Sequence, residues 1–283
     1  MAISNDKPVW FITGCSTGFG REIARKTLAL GYPTVVTARN PASLADLAKK
    51  FGDLALVLEL DVTKSSQIDA ATQAALEHFG RIDVLANNAG IGYFGSFEES
   101  ERDEVRTMFD INLWGLADMA RAVLPTMRKQ RSGTIVNISS IGGIVAFPAL
   151  SFYNATKFAV EALSESLSQE LAPLGVKVLI VEPGPFRTAW AGRSANQAPQ
   201  IIADYATTAK ARTDLIRGYS GKQPGDPARA ADAIVKAVES ENPPLRLLLG
   251  KAALANATLK IDALKHDFDN WAELSKSADY PEA

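Results

Sequence analysis

Tyr153 and Lys157 stand four residues apart in the run Tyr153-Asn154-Ala155-Thr156-Lys157. On a helix that spacing puts both side chains on one face. A phenol with an ordinary pKa of about 10 is a poor acid or base near neutral pH, but a neighbouring ammonium favours the phenolate. The pair can therefore carry a proton to or from a substrate oxygen. A tyrosine and a lysine at this spacing are common by chance, so the weight comes from their company. Ser140 lies upstream in Asn137-Ile138-Ser139-Ser140-Ile141-Gly142-Gly143. Further upstream come Asn112, then Asn87-Asn88-Ala89-Gly90, then Thr13-Gly14-Cys15-Ser16-Thr17-Gly18-Phe19-Gly20. Their order along the chain argues against coincidence.

Elements must position these residues, and the hydrophobic pattern supplies them. Short β-branched runs at Val9–Ile12, Thr34–Ala38, Leu54–Leu60, Asp83–Ala86, Gly133–Ile138, Val176–Glu182 and Leu245–Leu249 read as strands. Helical periods fill Arg21–Leu30, Leu44–Phe51, Ser66–Phe79 and Ser151–Leu174, and Glu101–Gln130 reads as one long or two abutting helices. Alternation of this kind predicts an α/β fold, a Rossmann-type doubly wound sheet of seven parallel strands with helices on both faces. No repeat or low-complexity linker breaks the 283 residues, so the pattern predicts one domain over 1–283. The stretch Gly184–Pro227, with a helical segment at Ile201–Gly218, interrupts the alternation and reads as a substrate lid, mobile around Ser194–Gln200. The extension 251–283 has apolar residues at helical spacing and could cover the pocket, pack on a partner subunit or cap the sheet.

Composition excludes several classes. Apolar content of 47% with 22% charged residues is that of a globular protein, and a net charge of −2 argues against nucleic-acid binding. The single cysteine, Cys15, cannot form an internal disulfide and reads as a small packing residue. Met1–Pro8 lacks a secretory pattern, and no run approaches the ~18 apolar residues of a membrane span, so a cytoplasmic protein is expected. His78 and His266 stand far apart with no metal-ligand spacing, so no metal is expected. A hydrolase reading of Ser140 lacks both a histidine base and a nucleophile elbow.

The glycines Gly14, Gly18 and Gly20 follow the first strand. They permit a tight turn and close approach of a pyrophosphate to a helix N-terminus. At the end of the second strand, Ala38 stands where an acid would hold the ribose hydroxyls, and Arg39 follows. A guanidinium there suits a 2′-phosphate, so NADP is expected in preference to NAD.

On these motifs the chain resembles the short-chain dehydrogenase/reductase family, with weaker similarity to its steroid-, retinol- and carbonyl-reducing members. The resemblance implies a tetrad of Asn112, Ser140, Tyr153 and Lys157. Ser140 would hold the substrate oxygen, Tyr153 would exchange its proton, and Lys157 would grip the nicotinamide ribose and lower the Tyr153 pKa. Asn112 would hold a helix kink and a water. It further implies that Gly14, Ser16, Thr17, Gly18, Phe19 and Gly20 form the phosphate turn. Asp61 and Val62 would line the adenine slot; Asn87, Ala89 and Gly90 would lie along the ribose and diphosphate. Asn88 would chiefly brace the sheet. Pro183, Gly184, Phe186 and Thr188 would meet the carboxamide. Family members associate as homodimers or homotetramers through the helices corresponding to Glu101–Gln130 and Ser151–Leu174.

The apolar residues Tyr93, Phe94, Ile144, Phe147 and Trp190 are candidates to line a pocket for a small hydrophobic ketone, aldehyde or secondary alcohol. The expected function is NADP-dependent hydride transfer with Tyr153 as general acid/base. Two alternatives remain: a β-ketoacyl-type thioester reductase, which predicts a basic patch at the pocket mouth, and a non-catalytic NADP-binding sensor.

Overall fold

The computed structural model describes residues 7–280; Met1–Asp6 of the N-terminal segment and the last three residues of the C-terminal extension lie outside the described residues. Seven parallel strands run β1 (Trp10–Ile12), β2 (Thr34–Ala38), β3 (Ala55–Glu59), β4 (Val84–Asn87), β6 (Gly133–Ile138), β7 (Val176–Pro183) and β9 (Arg246–Leu249). Their order across the sheet is β3-β2-β1-β4-β6-β7-β9. The chain winds outward from β1 in one direction and from β4 in the other. The crevice at the carboxyl ends of β1 and β4 is thus the topological switch point, where open α/β sheets bind ligands.

Both sheet faces are covered, and each strand shows it in alternation. Trp10 and Ile12 face α1 (Gly18–Ala29), α2 (Ala45–Phe51) and α8 (Pro227–Val238) through Ile23, Leu28, Leu47 and Ile234. Phe11 points the other way, with Val35, Leu85 and Ile135, into α3 (Ser65–Phe79) and α5 (Leu116–Gln130) through Ile68, Met119 and Val123. That two-sided burial is why the strands are continuous apolar runs.

The segment expected as one or two helices is a helix with a defect. α4 (Arg102–Phe109) passes into a π-helical turn at Asp110–Gly115 and then into α5. Such a turn widens the helix locally and re-aims its side chains. α6 (Ser151–Leu171) follows β6 and lies against this turn.

The expected lid contains more regular structure than its composition suggests. Within the stretch read as mobile, Ala195–Gln197 forms β8, which pairs in parallel with β5 (Gly92–Phe94). This two-stranded ribbon is an element that the polar, turn-rich composition did not suggest. α7 (Ala211–Gly218) completes the segment. The last helix, α9 (Lys251–Lys276), packs Ala253 and Ala257 against Ile141, Ile144, Val145, Phe147 and Leu248. Its first turns thus lie on β9 and on the turn after β6; beyond them Leu259, Ile261, Phe268, Trp271 and Leu274 are exposed.

Candidate active site

The turn between β1 and α1 is shaped by backbone. Gly14 and Gly18 have φ of +70° and +62°, in the left-handed region that side chains disfavour. Gly20 is required by contact instead: a Cβ there would lie 2.3 Å from the Asn88 amide nitrogen and 2.5 Å from the Gly14 carbonyl oxygen. Asn88 donates to the carbonyls of Thr13 and Gly14 at 2.9 and 3.0 Å. Its own N–H and that of Ala89 donate to the Thr13 hydroxyl at 2.9 and 3.0 Å. Asn88 therefore ties the glycine turn to the end of β4. At the N-terminus of α1, Thr17 gives no side-chain cap and the first turn carries no acid. Its N–H groups remain available to an anion, as the pyrophosphate of a dinucleotide requires. Cys15 is fully buried, its thiol pushed up to about 12 by desolvation, in keeping with a packing role.

Arg39 is exposed beyond the end of β2 and has no salt-bridge partner among the described residues. Its charge acts on Asp61, which follows β3. Burial opposes ionisation of Asp61, but hydrogen bonds from Thr63 and the charges of Lys64 and Arg39 prevail and lower its pKa. The Val62 side chain is buried against Gly115, and the Asn87 amide donates to Asn137 at 3.0 Å and to the Leu116 carbonyl at 3.3 Å. Both side chains belong to the interior. Gly90 abuts the Asn112 amide oxygen. Across the crevice, Thr188 stands against Gly18, and Phe186 packs edge-on to Phe19 with ring centroids 5.2 Å apart. Gly184, after Pro183 at the end of β7, is held by its N–H to the Leu249 carbonyl at 3.0 Å.

Ser140, Tyr153 and Lys157 come together beside this crevice. Ser140 caps a short 3-10 turn, its hydroxyl accepting from Gly142 N–H at 3.0 Å. It also stands within hydrogen-bonding reach of the Tyr153 phenol. Gly142 allows this closeness, since a Cβ would lie 3.3 Å from both Ser140 Oγ and the Tyr153 ring. Lys157 Nζ donates to the Ile138 carbonyl at 2.8 Å and lies 5.9 Å from the Tyr153 ring centroid. In the protein by itself, any pull of the Lys157 ammonium on the Tyr153 phenol is outweighed by burial. Burial dominates and pushes the phenol up to about 12, with Ser140 pulling the other way. Burial also brings the Lys157 ammonium down to about 8, opposed by the negative charge of Glu161.

Asn112 occupies the π turn. Its amide oxygen accepts from Ile91 N–H at 2.8 Å; its nitrogen donates to the Ile91 carbonyl at 2.9 Å and the Thr156 hydroxyl at 3.2 Å. It thereby links the β4 loop to α6, between Tyr153 and Lys157.

Over the phenol lies Trp190, its ring centroid 4.9 Å from that of Tyr153. Phe94 is fully buried beneath Trp190 and the Arg217 guanidinium, and the Tyr93 hydroxyl accepts from Glu101 N–H at 3.0 Å. Both belong to the packed cluster around Tyr153 and Trp190. Ile144 and Phe147 pack with Ile141, Ala253 and Ala257, and the Arg212 guanidinium covers the Phe147 ring.

Three features went unnoticed in the sequence. Thr13 anchors the loop after β4; Ala149 holds φ of +68° just before α6; and Glu161, Glu182 and Arg246 cluster behind Lys157. Only the cluster had a sequence signal: acids at Lys157 plus four and inside an apolar strand.

A family model described as short chain dehydrogenase matches residues 8–199. The chain belongs to the short-chain dehydrogenase/reductase family. It is 39% identical over 268 residues to Oxidoreductase BOA17 of Botryotinia fuckeliana, covering 94% of this chain and 97% of that protein. It is 37% identical over 240 residues to the 3-ketodihydrosphingosine reductase of Bacteroides thetaiotaomicron, covering 84% and 86%. The structure of a short-chain dehydrogenase from Streptomyces avermitilis superposes with a TM-score of 0.91 at 43% identity, covering 97% of this chain and all of that one. A short-chain dehydrogenase/reductase from Burkholderia phymatum, solved with NAD, gives a TM-score of 0.80 at 28% identity over 98% of each chain. The protein is thus a short-chain oxidoreductase of a family whose members bind nicotinamide dinucleotides.

Proposed function

We propose that the protein is an NADP-preferring carbonyl reductase or alcohol dehydrogenase acting on small hydrophobic ketones, aldehydes or secondary alcohols. The observation that carries this reading is the convergence of Ser140, Tyr153 and Lys157 beside an uncapped helix N-terminus and a glycine cradle. A nicotinamide dinucleotide bound in that cradle would supply or accept the hydride. Ser140 would hold the substrate oxygen, and the buried, protonated Tyr153 would donate to it in reduction. Lys157 would grip the ribose, and Asn112 would hold α6 and the β4 loop in register.

Arg39 supports NADP. It is exposed, unpaired among the described residues and placed where Ala38 replaces an acid. Arg39→Ala should weaken NADPH by roughly 10- to 150-fold, a lost charged hydrogen bond, and leave NADH nearly unchanged. Equal weakening of both, read by fluorescence titration, would defeat the assignment.

The apolar wall of Ile144, Phe147 and Trp190 supports a hydrophobic substrate, as does the similarity to a relative named a reductase of 3-ketodihydrosphingosine. A thioester reductase would need free cations at the mouth. Arg187 is bound through Nε to the Gln223 carbonyl, while Arg193 is exposed and without a salt-bridge partner among the described residues, so this reading stays open to assay. Steady-state assays on ketones and acyl thioesters with each cofactor test all three readings; nucleotide binding without any turnover would favour the sensor.

We further propose a single domain in which 184–227 acts as a lid, and a homodimer or homotetramer, in the cytoplasm. Trp114 and Phe158, on neighbouring elements, are 53% and 42% exposed and offer an apolar surface for self-association.

A further inference from the structure

Tyr153, Lys157, Glu161 and Glu165 recur every four residues along α6 and form one stripe on the helix. The stripe begins at the pocket and ends at solvent: Tyr153, Lys157 and Glu161 are buried, while the Glu165 side chain is 53% exposed. Glu161 has a companion. Glu182 of β7 is 0% exposed, and Arg246 at the start of β9 places Nε 3.4 Å from a carboxyl oxygen of each. The same guanidinium donates to Glu165 at 3.0 Å. Ser139, itself buried, stands alongside: a Cβ on Gly143 would lie 2.7 Å from Ser139 Oγ and 3.0 Å from Glu161.

All four carboxyl oxygens of Glu161 and Glu182 are buried without a protein hydrogen-bond donor. Two carboxylates at this depth cannot both remain ionised against one half-exposed arginine that also serves a third acid. Carboxyls that share a site hold a proton between them and titrate as a pair. One shared proton would bind one of these oxygens and donate to another, with the Ser139 hydroxyl beside Glu161 as a further donor. Burial pushes Glu161 up, and burial with the neighbouring Glu161 pushes Glu182 up to about 8. The remaining negative charge stands one helical turn from Lys157, whose ammonium burial would otherwise discharge.

We propose that Glu161 and Glu182 share one proton and serve as positioning residues, holding Lys157 in the charged form that the reaction needs. This rests on the reading of Tyr153 and Lys157 as the proton-transfer pair. The charged and titratable groups facing Glu161 are Lys157 and Glu165 on its own helix, Glu182 on β7 and Arg246 on β9, with the Ser139 hydroxyl after β6.

The test compares two isosteric variants. In alcohol oxidation the rate rises with pH as Tyr153 ionises. Glu161→Gln removes the charge beside Lys157, so the ammonium is lost earlier and no longer favours the phenolate; the rising limb should move up by about one unit or more. Glu182→Gln instead confines the negative charge to Glu161, nearest Lys157, and should move the limb down. Glu161→Asp should restore much of the wild-type profile. Independently of any substrate, the infrared spectrum of the wild-type protein at neutral pH should contain a protonated-carboxyl C=O band that Glu182→Gln removes. Shifts of equal sign in both variants, no shift in either, or absence of that band would overturn the proposal alone. A retained band with no turnover of any alcohol or ketone would overturn the catalytic reading beneath it, and the positioning role with it.

Discussion

At the scale of single residues, burial sets the protonation state from which the proposed role of Tyr153 starts. A phenol pushed up to about 12 is fully protonated at neutral pH and is ready as an acid toward a carbonyl oxygen. Reduction should therefore be flat with pH across neutrality, while oxidation, which needs the phenolate, should rise toward alkaline pH. Tyr153→Phe keeps the ring packed beneath Trp190 and removes the transferable proton. Turnover should fall by about 10²–10⁴-fold while NADPH still binds, read by steady-state kinetics beside a binding titration. Near wild-type reduction by this variant would remove Tyr153 from the chemistry.

At the scale of elements, two junctions place the site. The turn from β1 to α1 is locked by Asn88, and Gly20 is the residue that lets it close. Gly20→Ala would force a methyl group into the Asn88 amide and the Gly14 carbonyl, which are held by their own hydrogen bonds and cannot both retreat. Overpacking of this kind costs about 1–3 kcal/mol. The melting temperature should fall and dinucleotide affinity should drop with it; an unaltered melt and titration would show that the turn relaxes freely. The second junction is the segment from Gly184 to Pro227. Its strand β8 pairs with β5, while Trp190 covers the Tyr153 ring. Acting as the proposed lid, this segment should open and re-close during turnover. Amide hydrogen exchange across it should slow when NADP and a substrate analogue are both bound. Unchanged exchange, with Trp190→Ala leaving the Michaelis constant intact, would deny it a role in substrate binding.

At the scale of the whole molecule, the apolar surface left uncovered points to self-association. Trp114 in the π turn and Phe158 on α6 lie on elements that contact one another, and closed two-fold pairing is the commonest way to bury such a face. Light scattering at micromolar concentration should give a dimer or a tetramer. Phe158→Asp, which puts a charge on that face without touching the pocket, should shift the mass toward the monomer. A wild-type monomer would refute the arrangement.

The fold was legible because its signals are local and repeated. Strands buried on both faces must be continuous apolar runs, and Val9–Ile12 or Val176–Glu182 can be little else. The spacing of Tyr153 and Lys157, and the glycines after β1, were equally plain, since both depend on residues close along the chain. Tertiary structure alone decided the rest. Ser194–Gln200 looks mobile by composition, yet β8 exists because β5, about a hundred residues earlier, offers it a backbone edge. Arg212 and Arg217 carry no local signal of their placement, yet each guanidinium lies over an aromatic ring far away in sequence. Lys157 beside Tyr153 suggests a lowered phenol pKa, but depth of burial outweighs the neighbour, and depth is a property of the packed molecule. The same holds for Glu161 and Glu182: each is an ordinary acid in the sequence, and only the packing of α6 against β7 makes them a pair.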